Sequence, residues 1–162
     1  MKKIIPWLSF LLLTILFMVA LFYDRTIIGR HSGVLSFELN RIGSIKAIFK
    51  GPVNYVVDGF VGSPANLFQP WLIYLIAYPI GHVLTSFIYG YMAVVAIFTY
   101  LTLAIAYLVV KQVTNNNSQA FLFATIWTFA AYRTFDITRN VAGEALVFAF
   151  IPLAFFLAFI NW

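Results

Sequence analysis

The stretch from Pro70 to Val110 contains no formally charged residue, and this constrains the fold more than any other feature of the chain. A soluble domain carries charges throughout its surface, whereas a helix inside a bilayer excludes them. The whole chain agrees, since 63% of its residues are hydrophobic and only 9% are charged. We therefore predict an all-α, multi-pass protein of the cell membrane.

Composition also excludes several kinds of site and partner. The chain has no cysteine, so disulfides, thiolate nucleophiles and cysteine-ligated metals are excluded, and two histidines are too few for a histidine-rich metal site. The net charge is +5, but the basic residues are scattered between apolar segments. This pattern favours membrane lipids as partners and no nucleic acid.

Residues 4–23 are predicted to form the first transmembrane helix, because about twenty apolar residues cross a bilayer. They follow Lys2 and Lys3, which place the N-terminus in the cytoplasm by the positive-inside rule. A cleaved signal peptide is the alternative. The apolar run is longer than a usual signal core, however, and no small-x-small cleavage pattern follows it.

Residues 24–69 are predicted to form an extracytoplasmic loop, because most of the glycines and polar residues fall there. An amphipathic helix is expected at about 34–50, lying on the membrane surface and ending at Gly51 and Pro52. Its apolar stripe consists of Leu35, Leu39, Ile42, Ile45 and Phe49.

Residues 70–110 allow two interpretations: a two-helix hairpin, or a short half-helix followed by one crossing from about Leu84. Lys111 prefers the cytoplasm and so favours the single crossing. A span at 119–131 then returns outward, a charged loop occupies 132–144, and a last span covers 145–162. This gives a bundle of about four to five membrane helices. The final apolar run stops without a charged flank, so we expect the front part of a longer protein.

The charged loop offers the best candidate chemistry. Arg133 and Arg139 are spaced to clamp a diphosphate, or alternatively to reach lipid headgroups. Glu144 directly precedes the last span, where it serves either as a site carboxylate or as a favourable charge at a helix start. Ionisable groups beside apolar spans require partners or a function.

Three motifs carry a resemblance to a known family: Phe37-Glu38-Leu39-Asn40-Arg41-Ile42, Asn66 to Pro70, and Tyr132-Arg133 through Pro152-Leu153. They are similar to "FHLNRI", "FYP" and "YR…R.A.GE…PL" of bacterial multi-spanning proteins of the YfhO type. The neighbouring membrane family labelled 6-pyruvoyl-tetrahydropterin synthase-related looks equally close. Both families resemble GT-C glycosyltransferases, which implies that this chain is a partial GT-C-like module.

The resemblance implies transfer of a sugar from a polyprenyl-phosphate donor in the modification of a cell-envelope glycan or lipid. Carboxylates for catalysis would come from Glu144, Glu38 and Asp24, and the phosphate would be held by Arg133, Arg139 and Arg41. Whether a divalent cation is the cofactor stays open.

Two positions depart from the family pattern. Val34 stands where such proteins carry an aspartate, and Glu38 stands where they carry the histidine of "FHLNRI". The aspartate would be the leading candidate carboxylate, so its loss leaves both an enzyme and a non-catalytic relative as hypotheses. The non-catalytic relative would act as a scaffold or lipid-binding protein. A transporter is disfavoured, because residues 70–110 offer no ion relay.

Overall fold

The computed structural model describes residues 4–22, 71–130 and 150–160. These residues form five α-helices: α1 (Ile5–Phe22), α2 (Trp71–Val83), α3 (Phe87–Thr114), α4 (Asn117–Thr128) and α5 (Ile151–Ile160). The described residues contain no strand, which confirms the all-α prediction for this part of the chain. The predicted surface helix and charged loop lie outside the described residues.

Two of the described helices are long and apolar enough to cross a membrane, namely α1 and, within α3, Ile88–Thr114. At 1.5 Å per residue, α1 is about 27 Å long and α3 about 42 Å, against a hydrocarbon thickness of about 30 Å. Large apolar side chains of α1 point outward, including Leu8, which is 61% exposed, and Leu12, which is 58% exposed. Such a surface is compatible with surrounding lipid.

The other three helices are shorter. Helix α2 has 13 residues, α4 has 12 and the described part of the last apolar segment, α5, has 10. Each is therefore under about 20 Å long. A bundle of four to five spans stays a prediction.

The chain divides into two compact units, Met1–Arg30 with Val95–Trp162, and His31–Val94. In the first unit, a buried cluster joins α1, α3 and α4. It consists of Phe10, Leu103, Ala106, Tyr107, Ala120 and Ala124. The Phe10 ring stacks on Phe121 with centroids 5.3 Å apart and meets Tyr107 edge to face at 5.4 Å. The alanines lack bulk, so this aromatic ring fits between the helices.

In the second unit, α2 turns directly into the start of α3. The Ser86 N–H donates to the Gly81 carbonyl (2.9 Å) and the Thr85 N–H to the His82 carbonyl (3.4 Å). This is the Schellman pattern that ends helices, with Thr85 in the left-handed region at φ 59°. The two helices then approach so closely at Gly90 that a Cβ there would overlap the Ala77 carbonyl oxygen.

A two-residue turn joins α3 to α4. Asn115 adopts a left-handed conformation, φ 53°, and its N–H donates to the Lys111 carbonyl at 2.9 Å. The Asn116 side chain then accepts from the N–H groups of Ser118 and Gln119 at 2.9 and 3.2 Å. These bonds satisfy backbone groups that the helix ends would otherwise leave free.

Two buried threonine hydroxyls form hydrogen bonds within their own helix. Thr14 donates to the Phe10 carbonyl (2.8 Å), and Thr102 donates to the Phe98 carbonyl (2.6 Å). Both threonines are buried. This local bond lets a polar side chain lie in an apolar environment without a partner on another helix.

Candidate functional site

The main candidate site in the described part of the chain is an apolar groove between α3, α4 and α5, in the first unit. Its cavity volume is about 600 Å³, which is within the range of small-molecule sites. The lining residues are Val109, Val110, Val113, Phe123, Trp127, Ile151, Pro152, Phe155 and Phe156.

Helical spacing explains how each helix supplies part of the wall. On α3, Val113 follows Val109 by four residues and Val110 by three, so the three side chains share a face. Phe123 and Trp127 are four apart on α4, and their rings stack with centroids 5.9 Å apart and planes at 11°. The groove therefore has a flat aromatic side and a β-branched side.

The start of α5 completes the groove. Pro152 lies in the first turn of this helix, where its missing N–H removes no helical hydrogen bond. The adjoining turn is closed by the Ala154 N–H, which donates to the Phe150 carbonyl at 2.9 Å. The sequence-based prediction of a span at 145–162 puts this proline midway along a helix, whereas the described helix begins at Ile151.

The lining fits a hydrocarbon chain. Apart from the indole N–H of Trp127, the lining side chains carry no polar atom. Such a surface offers nothing to fix an ion or a sugar ring, but it gives an alkyl or isoprenoid chain dispersion contacts along its length. Val113 is 68% exposed and Phe155 63% exposed, so the groove opens at the surface.

A second group of side chains, which is polar and aromatic, lies near the end of α3. The Lys111 ammonium is 5.5 Å from the centroid of the buried Tyr107 ring. The Tyr107 hydroxyl donates to Asn117 Oδ1 at 3.1 Å, and Trp7 contacts the same ring edge to face at 6.0 Å. We call Trp7, Tyr107, Lys111 and Asn117 the Tyr107 cluster. Lys111 belongs to α3 but does not line the groove.

A small pocket lies at the turn between α2 and α3. Its volume is about 140 Å³, and Gly81, His82, Thr85 and Ser86 line it. The exposed His82 ring stacks on Tyr78, with centroids 5.9 Å apart and planes at 5°. The hydrogen bonds to the Gly81 and His82 carbonyls that end α2 account for the positions of these residues.

All the residues predicted to carry catalysis and phosphate binding lie outside the described residues: Asp24, Glu38, Arg41, Arg133, Arg139 and Glu144. Their roles stay predictions. Among the described residues, no three His, Cys, Asp or Glu side chains group as metal ligands would. Whether a divalent cation is the cofactor therefore stays open.

The groove was not among the sequence-based predictions. A membrane helix is apolar all round, so hydrophobic periodicity does not separate its packed face from an open one. The i, i+4 pair Phe123 and Trp127 is the one local signal, because two large rings at that spacing stack into a platform. The Tyr107 cluster depends on contacts far apart in sequence and has no such signal.

No protein-family model, no curated protein and no solved structure matches this chain.

Proposed function

We propose that this chain is the membrane-embedded, lipid-binding part of a GT-C-like glycosyltransferase. It would take a sugar from a polyprenyl-phosphate donor and transfer it to a cell-envelope glycan or lipid. The observation that supports the proposal is the apolar groove of about 600 Å³, whose lining suits a polyprenyl chain. The exposed apolar surface of α1 supports the membrane location.

Chain connectivity links the groove to the charged segment 132–144. This segment joins α4 to α5, and both helices line the groove, through Trp127 and Ile151. An extended chain spans at most about 3.6 Å per residue, so Arg133 lies within roughly 22 Å of Trp127 and Glu144 within roughly 25 Å of Ile151. We therefore infer that a lipid chain in the groove would present its phosphate to these groups.

The proposed chemistry is nucleophilic displacement at the anomeric carbon. A carboxylate, Glu144 with Glu38 and Asp24 as the alternatives, takes the proton of the acceptor hydroxyl. The hydroxyl oxygen forms the new glycosidic bond as the bond between the anomeric carbon and the phosphate oxygen breaks. Polyprenyl phosphate leaves with the bonding electrons, and Arg133, Arg139 and Arg41 stabilise its charge.

Groove occupancy can be tested with a photoreactive polyprenyl phosphate and peptide mapping of the labelled full-length protein. Val109→Trp fills the groove and should remove most labelling of α4 and α5. Leu108→Trp is the matched control: the same residue is added one position away, at a side chain 50% exposed and outside the groove. Equal labelling of both variants would exclude the groove as the polyprenyl site.

Transfer itself needs a separate measurement. Membranes that contain the wild-type protein should move radiolabelled sugar from polyprenyl phosphate into an envelope fraction, and Glu144→Gln should abolish this transfer while leaving photolabelling intact. A protein that takes the label but gives no product in any membrane preparation would not be a transferase.

A non-catalytic lipid-binding protein is the second candidate, and one observation favours it. The side chains that line the groove include no acid or base, so the groove by itself binds lipid without chemistry. Such a protein would bind the photoreactive lipid and respond to Val109→Trp, but Glu144→Gln would change nothing.

A further inference from the structure

Lys111 stands apart from every other described residue because it is the one charged side chain in residues 4–22, 71–130 and 150–160. No carboxylate in these ranges is present to pair with it. Its side chain is exposed, at the end of a helix long enough to cross a bilayer. A cation in this position either faces bulk water or meets an anion from outside this part of the protein.

The surroundings hold the ammonium in place without neutralising it. The Tyr107 ring lies beneath it, 5.5 Å from centroid to Nζ, and attracts a cation through its π face. The ring is itself fixed, because it is buried, contacts Trp7 and Phe10 edge to face, and donates its hydroxyl proton to Asn117. An aromatic face supplies no counter-charge, so the positive charge remains available.

The cluster lies near the end of the apolar run of α3, where a helix that crosses a membrane would reach the surface. Residues 111–119 are all exposed and polar or small, apart from Val113, and they separate two apolar helices. Trp and Tyr rings are common at the boundary between hydrocarbon and headgroups. The first amides of α4 are already bonded to the Asn116 side chain, so Lys111, and not the helix end, is the group that would hold an anion.

We propose that the Tyr107 cluster is a docking surface for the headgroup of an anionic phospholipid, with Lys111 bound to the lipid phosphate. The partner is a lipid of the leaflet that surrounds the turn between α3 and α4. No residue of the Tyr107 cluster lines the groove, so this interaction does not depend on the glycosyltransferase proposal.

The test uses the full-length protein with a fluorophore on Gln112→Cys, which is exposed and next to Lys111 in a chain without native cysteine. The protein is reconstituted in POPC vesicles that contain either brominated phosphatidylglycerol or brominated phosphatidylcholine as quencher. One lysine near an anionic lipid surface corresponds to a preference of about five-fold. We expect that preference for phosphatidylglycerol, falling with added salt.

Three variants decide the outcome. Lys111→Gln should bring the preference close to one, and Lys111→Arg should keep it. Lys46→Gln removes an equal charge from another segment and should leave the preference at this reporter unchanged. If the wild type shows no preference, if Lys111→Gln keeps it, or if Lys46→Gln lowers it equally, the site does not exist. Helical content measured by circular dichroism verifies that each variant is folded.

Discussion

The indole ring of Trp7 meets the phenol ring of Tyr107 edge to face, with centroids 6.0 Å apart and planes at 76°. Trp7 lies near the beginning of α1, and Tyr107 lies two turns before the end of α3. The start of α1 and the turn after α3 therefore lie at the same end of this unit. In a membrane, both would face the same side.

This contact predicts the sidedness of two segments. Lys3→Cys and Ser118→Cys should react with a membrane-impermeant maleimide from the same face, because both flank the ends that Trp7 and Tyr107 join. The chain has no native cysteine, so each variant carries a single reactive site. Labelling of intact cells compared with opened cells gives the face, which we expect to be cytoplasmic.

The same assay includes a control and an outcome that would contradict the prediction. Gly59→Cys, in the predicted extracytoplasmic loop, should react in intact cells. If Lys3→Cys and Ser118→Cys react from opposite faces, then α1 and α3 do not pack as an antiparallel pair across the bilayer. The single-crossing interpretation of residues 70–110 would then fail as well.

A second prediction concerns the close approach of α2 and α3 at Gly90. A Cβ there would overlap the Ala77 carbonyl oxygen and lie 3.0 Å from the Gly81 nitrogen. Both are backbone atoms and cannot rotate away, so Gly90→Ala should lower the free energy of unfolding by about 1–3 kcal/mol. The measurement is unfolding of the purified protein in mixed micelles, followed by circular dichroism.

The partner substitution provides the control. Shortening the opposite side chain with Ala77→Gly should not rescue Gly90→Ala, because the overlapping atom is the carbonyl oxygen that every residue carries. Recovery of stability in the double variant would mean that side chains, and not backbones, set the distance between the two helices.

The third prediction concerns Thr85, which holds φ 59° at the end of α2. A β-branched residue in this region is destabilised by about 1–2 kcal/mol. Glycine avoids that strain, but it lowers stability by about 0.5–1 kcal/mol because it makes the unfolded chain more flexible. Thr85→Gly should therefore raise the free energy of unfolding by up to about 1 kcal/mol. Thr85→Val keeps the branching and loses the hydroxyl that donates to the Leu84 carbonyl, so it should lower stability. If both variants raised the free energy of unfolding, the positive φ of Thr85 would not be the cause of the effect.

The sequence was sufficient to predict that the described residues are all helical and include helices long and apolar enough to cross a membrane, because charge depletion marks such segments. It was less informative about helix ends. The predicted span 119–131 corresponds to a described helix at Asn117–Thr128. This helix begins earlier because the Asn116 side chain caps it. Likewise, α3 begins at Phe87 and not at about Leu84, since Thr85 turns the chain in a conformation that threonine rarely adopts.

The candidate site shows a second limit of prediction from the sequence. The sequence directs attention to charged residues, since these are rare in an apolar chain and therefore conspicuous. The six charged residues that were predicted to form the site all lie outside the described residues. The groove consists of residues that look the same as any lipid-facing side chain. Its position depends on which faces of α3, α4 and α5 meet, and that is a property of packing between residues far apart in sequence.

The last prediction separates packing from lipid contact on a single helix. Phe10 is fully buried between three aromatic rings, whereas Leu12 is 58% exposed. In a bilayer, moving an apolar side chain from protein to lipid gains little, so only the lost packing counts. Phe10→Ala removes roughly 100 Å³, which at about 24 cal/mol per Å³ is about 2.4 kcal/mol of unfolding free energy. Leu12→Ala leaves no cavity and should change stability by less than about 0.5 kcal/mol. Unfolding of both variants in the same micelles measures the difference, and equal losses would show that α1 does not present Leu12 to lipid.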